Sequence, residues 1–350
     1  MRVYGQNLES SKNSESMMSR VRYGGTRAVA QSIEQSRAPD DRGSVIAFSD
    51  TIADPERTGQ DRDGWLGRFD GMSQLELSFD EQDKVLWCFM NPPGRPSVTL
   101  QLARESRALQ GSVQQLFREQ HNGAAPPIRY MVWSSKLPGV FNLGGDLRLF
   151  AELIRKRDRE RLLEYAAACV DVVYANAVNL DLPLITVSLV RGDALGGGFE
   201  AAISSNLVIA ERSAKFGLPE MLFNLFPGMG AYSLIARRIG SGQAERMILS
   251  GRIYSAEELY GLGLVDVLAD DGKGEDAVYE YVEQYGRRHS AHCAVYNVRK
   301  RVNPMAYEEL LDITHIWVEA ALALEDSDLR RMERLAAAQD RRIAALVRSV

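Results

Sequence analysis

The sequence predicts an α/β protein built on a parallel sheet, with a helical C-terminal region. Three observations carry this. Leu184-Ile185-Thr186-Val187-Ser188-Leu189-Val190 is an apolar, β-branched run of the kind that sits between two covering layers. Strand-like runs alternate with helical stretches from about residue 75 to 270, the order expected of a parallel α/β sheet. Beyond about residue 277 the pattern is helical almost to the end.

Residues 1–70 differ from the rest. Ser10 to Ser19 is rich in serine, and Pro39 to Asp63 is crowded with Asp, Arg and Gly. Scattered apolar residues cannot bury enough surface to offset chain entropy, so a disordered or extended segment is expected there. Val45-Ile46-Ala47-Phe48 is the one short piece suited to docking on the body. Leu75 to Phe79 alternates like a strand, Asp80 to Asp83 reads as a turn, and Val85 to Met90 as a second strand, giving a hairpin that Asn91-Pro92-Pro93-Gly94 ends. Val98 to Phe117 is helical in period, Ile128 to Ser135 is a strand, Pro138 to Asp146 a Gly-containing loop, and Leu147 to Ala177 one long helical stretch. After the Leu184–Val190 strand come a Gly-rich turn, a short helix over Phe199–Ser205 and a short strand over Leu207–Ala210. The domains expected are an N-terminal extension over 1–70, a core over 71–275 and a helical region over 276–350 that serves oligomerisation.

The 350 residues carry a formal net charge of −5, which lacks the basic excess of a nucleic-acid binder. Cys88, Cys169 and Cys293 are far apart and read as reduced thiols, each packed in the core or at the surface. No apolar run reaches the length of a membrane span, and Met1 to Gln6 leads into polar sequence with no secretory core, so a cytoplasmic protein is expected.

The most informative segment is Arg191-Gly192-Asp193-Ala194-Leu195-Gly196-Gly197-Gly198-Phe199-Glu200. Its glycines let backbone approach a ligand, and free N–H groups at a helix start favour developing negative charge, such as an enolate oxygen. A dinucleotide fingerprint is the rival reading of Gly196 to Ala201, with Glu220 downstream. Against it, Arg191 to Leu195 separate the glycines from the strand, and Glu200 would repel a pyrophosphate. Tight packing alone is the plain alternative. Glu220 follows Pro219 and precedes an apolar run, Met221 to Gly230, so its carboxylate is placed where low dielectric raises its pKa. A solvated Glu is the default against which that is weighed. Phe141-Asn142-Leu143-Gly144-Gly145-Asp146-Leu147 is a second loop able to present backbone N–H groups, with Asp146 as a helix N-cap.

Taken in order, these motifs resemble the crotonase (enoyl-CoA hydratase/isomerase) superfamily. Leu143-Gly144-Gly145-Asp146-Leu147, Ala194 to Glu200, Phe216-Gly217-Leu218-Pro219-Glu220 with Pro227-Gly228, and Gly251 to Leu259 with Gly261 to Asp266 match its successive signatures over about residues 75 to 270. The resemblance implies a spiral of β-β-α units, a homo-oligomer of one or two trimers, and no metal or redox cofactor. It implies Glu200 and Glu220 as catalytic acid and base, the N–H groups of Leu143 and Gly197 as oxyanion hole, and Gly144, Gly198, Leu222, Phe226 and Met229 around the substrate.

Phe141 to Leu147, Gly197 to Ala202 and Leu222 to Tyr232 also resemble the bacterial diffusible signal factor synthases. That likeness implies dehydration of a 3-hydroxyacyl chain on acyl carrier protein to a cis-2-enoyl chain, then thioester hydrolysis to a free fatty acid signal. The alternatives are a plain enoyl-CoA hydratase acting on CoA esters and a non-catalytic scaffold, against which both retained glutamates speak. Arg237-Arg238 and Arg299-Lys300-Arg301 are basic runs suited to an acidic carrier protein or to a solvated helix face. A regulatory protein partner is a further expectation; nucleic acid and a membrane are not.

Overall fold

The computed structural model describes residues 65–69, 71–119 and 126–348. The expectation for residues 1–70, including Val45–Phe48, lies almost wholly outside the described residues.

The hairpin forms as its alternation predicts. Strands β1 (Leu75–Asp80) and β2 (Val85–Met90) pair antiparallel from Leu75↔Met90 to Asp80↔Val85. Asp80 Oδ1 accepts the N–H groups of Gln82 and Asp83 at 2.9 and 3.0 Å, which makes the turn. Helix α1 (Leu100–Glu119) follows. Next come β3 (Tyr130–Ser135), β4 (Gly139–Asn142), α2 (Leu147–Lys156) and α3 (Arg159–Ala177). Then come β5 (Ile185–Val190), β6 (Gly192–Leu195) and α4 (Gly197–Ser204). A third round runs through β7 (Leu207–Glu211), β8 (Lys215–Gly217), a 3-10 turn at Pro219–Phe223, α5 (Ala231–Ile239) and α6 (Ser241–Ser250). Strand β9 (Ile253–Ser255), α7 (Ala256–Leu262) and β10 (Val267–Ala269) complete the sheets. Four helices end the chain: α8 (Gly274–Tyr285), α9 (His289–Val302), α10 (Tyr307–Leu322) and α11 (Asp326–Arg348).

Two sheets result. The larger runs β1-β2-β3-β5-β7-β10 and the smaller β4-β6-β8-β9. From β3 to β8 each round of the chain gives one strand to each sheet and then a helix or helical turn, which is a β-β-α spiral. β5 is buried at all six positions and pairs in parallel with both β3 and β7, as its unbroken apolar run requires. The α/β class, the spiral and the helical C-terminal region are therefore as expected. The three cysteines are free and buried. Among the described residues no helix is long and apolar enough to cross a membrane.

Four local expectations are corrected. Pro138–Asp146 contains β4, Arg191–Leu195 is largely β6, and Lys215–Gly217 is β8. These strands are three or four residues long, too short for an alternation to register, and they exist because the neighbouring strand of the small sheet pairs with them. Leu147–Ala177 is two helices. Arg157 adopts a left-handed conformation (φ 51°), and Asp158 caps the second helix through Arg161 N–H at 3.1 Å.

Candidate active site

The site is built where β4 and β6 hand over to their helices. Gly196 turns the chain with φ +52°, and α4 begins at the next residue. Gly144 does the same in the neighbouring loop with φ +87°. The loops touch: a β-carbon on Gly144 would lie 3.0 Å from the Gly197 nitrogen and 2.7 Å from the Leu195 oxygen, and one on Gly198 would lie 2.1 Å from the Asn142 oxygen. Both positions are therefore closed to any side chain. Asp146 caps α2, its Oδ1 accepting the N–H groups of Arg148 and Leu149 at 3.2 Å each.

The expected pair of amide donors needs one correction. Leu143 N–H is not free, because it donates to the Pro96 carbonyl at 2.7 Å. Gly144 N–H donates to Asn142 Oδ1 at 2.8 Å. The N–H groups of Gly145 and Gly197 have no acceptor among the described residues. They are neighbours, since a β-carbon on Gly197 would lie 3.7 Å from the Gly145 nitrogen. Gly145 has no room for a side chain of its own: a β-carbon there would lie 2.5 Å from the Phe150 ring. Nothing near position 143 signals the Pro96 contact, so sequence reasoning counted Leu143 N–H as free.

Two carboxyl groups face this turn. Glu200, in the first turn of α4, is 1% exposed, and its Oε1 accepts the N–H groups of Met229 and Ala231 at 2.9 Å each. Burial pushes its pKa up to about 7, against the pull of those two donors. Glu220 sits in the 3-10 turn, where Pro219 fixes the backbone at the first position. Its Oε2 is buried with no partner among the described residues. Burial first, and then the charge of Glu200, push it up to about 8. Two interacting carboxyls raised to this degree share protons near neutral pH and titrate as a pair.

The remaining expected residues divide. Met229 is 5% exposed, and its sulfur is 3.7 Å from where a Gly197 β-carbon would be. Phe226 is half-buried against the cluster of α2, α3 and the C-terminal helices. Leu222 stands apart: it is 59% exposed, on the side of the 3-10 turn that faces Gly251, and nothing places it beside the carboxyls. Residues that sequence reasoning missed come from far along the chain. Trp317 of α10 packs under the Pro227-Gly228 loop, where a β-carbon on Gly228 would strike its ring at 2.3 Å. Gln339 of α11 donates to the Leu143 carbonyl at 3.3 Å. No local pattern announces either contact.

The basic runs Arg237-Arg238 and Arg299-Lys300-Arg301 converge on a concavity of about 470 Å³. Several of these cations neutralise helix ends. Lys300 donates to the Val178 carbonyl after α3, Arg238 to the Ser205 carbonyl after α4, and Arg237 to Pro304. Arg299 and Arg301 have no carboxylate partner among the described residues.

The family model described as enoyl-CoA hydratase/isomerase matches residues 119–315. Mitochondrial methylglutaconyl-CoA hydratase of Rattus norvegicus is 30% identical over 152 residues, 43% of this chain and 46% of that one. Cyclohexa-1,5-dienecarbonyl-CoA hydratase of Thauera aromatica is 34% identical over 151 residues, 42% of this chain and 57% of that one. The chain thus spans about half the length of the curated relatives it matches. The structure of Pseudomonas aeruginosa DspI superposes with a TM-score of 0.57 at 25% identity, over 69% of this chain and 92% of that one. An enoyl-CoA hydratase from Bacillus halodurans superposes with a TM-score of 0.61 at 22% identity, over 75% of this chain and all of that one, a likeness of fold.

Proposed function

The chain belongs to the enoyl-CoA hydratase/isomerase family, and from that premise we propose that it adds or removes water across an acyl thioester, with Glu200 and Glu220 as acid and base. The observation that carries this is two buried carboxyls, raised to about 7 and 8, beside two unpartnered backbone N–H groups. The thioester carbonyl oxygen is taken to accept from Gly145 and Gly197, so that charge developing as the α-proton leaves is held by fixed donors. One carboxylate removes that proton. The other, protonated, gives its proton to the departing hydroxyl, so that water leaves and the C2–C3 double bond forms.

In the dehydrating direction, a 3-hydroxyacyl thioester on acyl carrier protein goes to a cis-2-enoyl chain. Water then adds to the thioester carbon, the same two amides hold the tetrahedral oxyanion, and the carrier thiol leaves with a free unsaturated acid. This finer reading rests on the likeness of the 141–147, 197–202 and 222–232 segments to diffusible signal factor synthases. Incubation of the protein with a 3-hydroxyacyl carrier protein and with the matching CoA ester, followed by mass spectrometry, tests it. Free cis-2-enoic acid supports it. Enoyl thioester alone supports the second reading, a hydratase of CoA esters, which the names of the relatives favour. No turnover of either leaves only a scaffold.

Assembly as a homotrimer or a pair of trimers belongs to the same proposal. Val295, Val298 and Val302 of α9 are 64%, 60% and 71% exposed and form a stripe on one face, which supports burial against another copy. Light scattering of the full chain checks it, and a monomer would remove the stripe from consideration.

A further inference from the structure

One turn of α11 is fastened to the surroundings of both donor loops. Gln339 holds the Leu143 carbonyl. Asp340 accepts Arg95 through two bonds, Nε to Oδ1 at 2.6 Å and Nη2 to Oδ2 at 2.7 Å, and it accepts Arg148 as well. Arg342 Nη1 lies 2.6 Å from Asp193 Oδ2. Arg95 immediately precedes Pro96, whose carbonyl holds Leu143 N–H. Arg148 stands in the first turn of α2, and Asp193 stands in β6, three residues before Gly196.

The fastening is ionic where it meets the site. The apolar anchors of α11 include Leu329, Met332 and Ala336, and the turn Gln339-Asp340-Arg341-Arg342 itself contains no apolar residue. A helical turn held by charges, with no apolar side chain of its own, opens at little cost. The Asp340 carboxylate lies between two guanidinium groups, an arrangement that a phosphate oxyanion also satisfies. The Arg95 side chain is only 16% exposed and that of Asp340 33%, so this pair is screened less than an ordinary surface pair.

We propose that the Gln339–Arg342 turn is a latch over the thioester entrance, released when a phosphate on the thiol arm of the incoming substrate replaces Asp340 on Arg95 and Arg148. This rests on the reading of the site as an acyl-thioester site. The phosphate is shared by coenzyme A and by the phosphopantetheine of a carrier protein. With the turn lifted, Gln339 leaves the Leu143 carbonyl and the approach to Gly145 and Gly197 is uncovered.

Hydrogen exchange of the full chain reads this without turnover. Amides in the last turns of α11 are followed with coenzyme A, with 4′-phosphopantetheine and with phosphate-free pantetheine. Exchange at least about threefold faster with coenzyme A, and unchanged with pantetheine, is expected for local opening. The same acceleration with 4′-phosphopantetheine assigns the effect to the arm's own phosphate, and its absence to the nucleotide phosphates. Asp340→Asn should exchange fast with no ligand, and the Arg95→Gln/Arg148→Gln double variant should be fast and indifferent to coenzyme A. Their thermal transitions report whether they fold. Unchanged α11 exchange in wild-type protein with coenzyme A, or an equal change with pantetheine, overturns the latch even if thioesters are turned over. The expected exchange without any turnover would instead count against the proposed chemistry and leave the latch standing.

Discussion

Glu220 rests on Gly196: a β-carbon at position 196 would lie 2.5 Å from Glu220 Oε1. The glycine both makes the φ +52° turn into α4 and leaves the space that one carboxylate of the pair occupies. Gly196→Ala is therefore expected to displace Glu220 while the cooperative fold persists. Turnover should fall by about a hundredfold or more, the scale of a lost acid/base group. A steady-state assay beside a thermal melt checks this. A folded Gly196→Ala protein of normal activity would show that Glu220 need not lie there.

Glu200→Gln and Glu220→Gln should each lower kcat by at least about a hundredfold, since neither amide exchanges a proton. The wild-type pH–rate profile should be bell-shaped with both limbs near neutrality, because one carboxyl must be charged while the other holds a proton. The environment sets both directions: burial raises both carboxyls, and the charge of Glu200 raises Glu220 further. A profile flat from pH 5 to 9 would remove the pair from the rate-limiting step.

The same shifts fix the sign of a stability effect. Each carboxyl binds its proton more tightly folded than unfolded, so the folded state holds extra protons between the ordinary carboxylate range and about 7 to 8. Stability contributed by this pair is complete below the unfolded pKa and declines as pH rises through that window. Glu220→Gln removes its share of the decline. Its thermal midpoint should exceed that of wild type at pH 9 and approach it at pH 5. Equal differences at both values would show that Glu220 is not buried as a neutral acid.

How much of this was legible depends on the range of the contact. β5 and the β1–β2 hairpin follow from apolar pattern over six residues, and the Gly196–Gly197 turn follows from glycines at a helix start. Glu200 and Glu220 stand out because their neighbours are apolar. That Leu143 N–H is taken was not legible, since the Pro96 carbonyl that accepts it lies 47 positions earlier in the chain and leaves no local trace. Strands β4, β6 and β8 were hidden for the same reason: each is defined by its partner strand. The Asp340–Arg95 pair spans 245 positions and lies beyond any periodicity.

Met229 lies against Gly197 and donates its N–H to Glu200, and we propose that its side chain limits the acyl chain beside the reacting carbons. Met229→Ala should favour longer or bulkier chains, and Met229→Trp shorter ones, by about 1–3 kcal/mol per methylene of pocket length. The backbone bond to Glu200 survives both changes, so kcat on the preferred chain should move less than KM. Product profiles measured on a chain-length series check this, and an unchanged profile in both variants would place Met229 in the packing alone.

The basic concavity yields the last prediction. Lys300, Arg237 and Arg238 hold backbone carbonyls at helix ends, so changing them should cost stability whatever they bind. Arg299 and Arg301 are exposed and lack a carboxylate partner among the described residues, so they are the cations available to an acidic carrier protein. Arg299→Glu together with Arg301→Glu should leave the melt nearly unchanged. KM for a carrier-bound 3-hydroxyacyl substrate should rise by about tenfold, with little effect on a small thioester analogue. Added salt should weaken the carrier reaction of wild type and much less that of the double variant, because the screened attraction is already gone. Equal changes in KM for the two substrates would mean that these arginines act on the fold and not on the carrier.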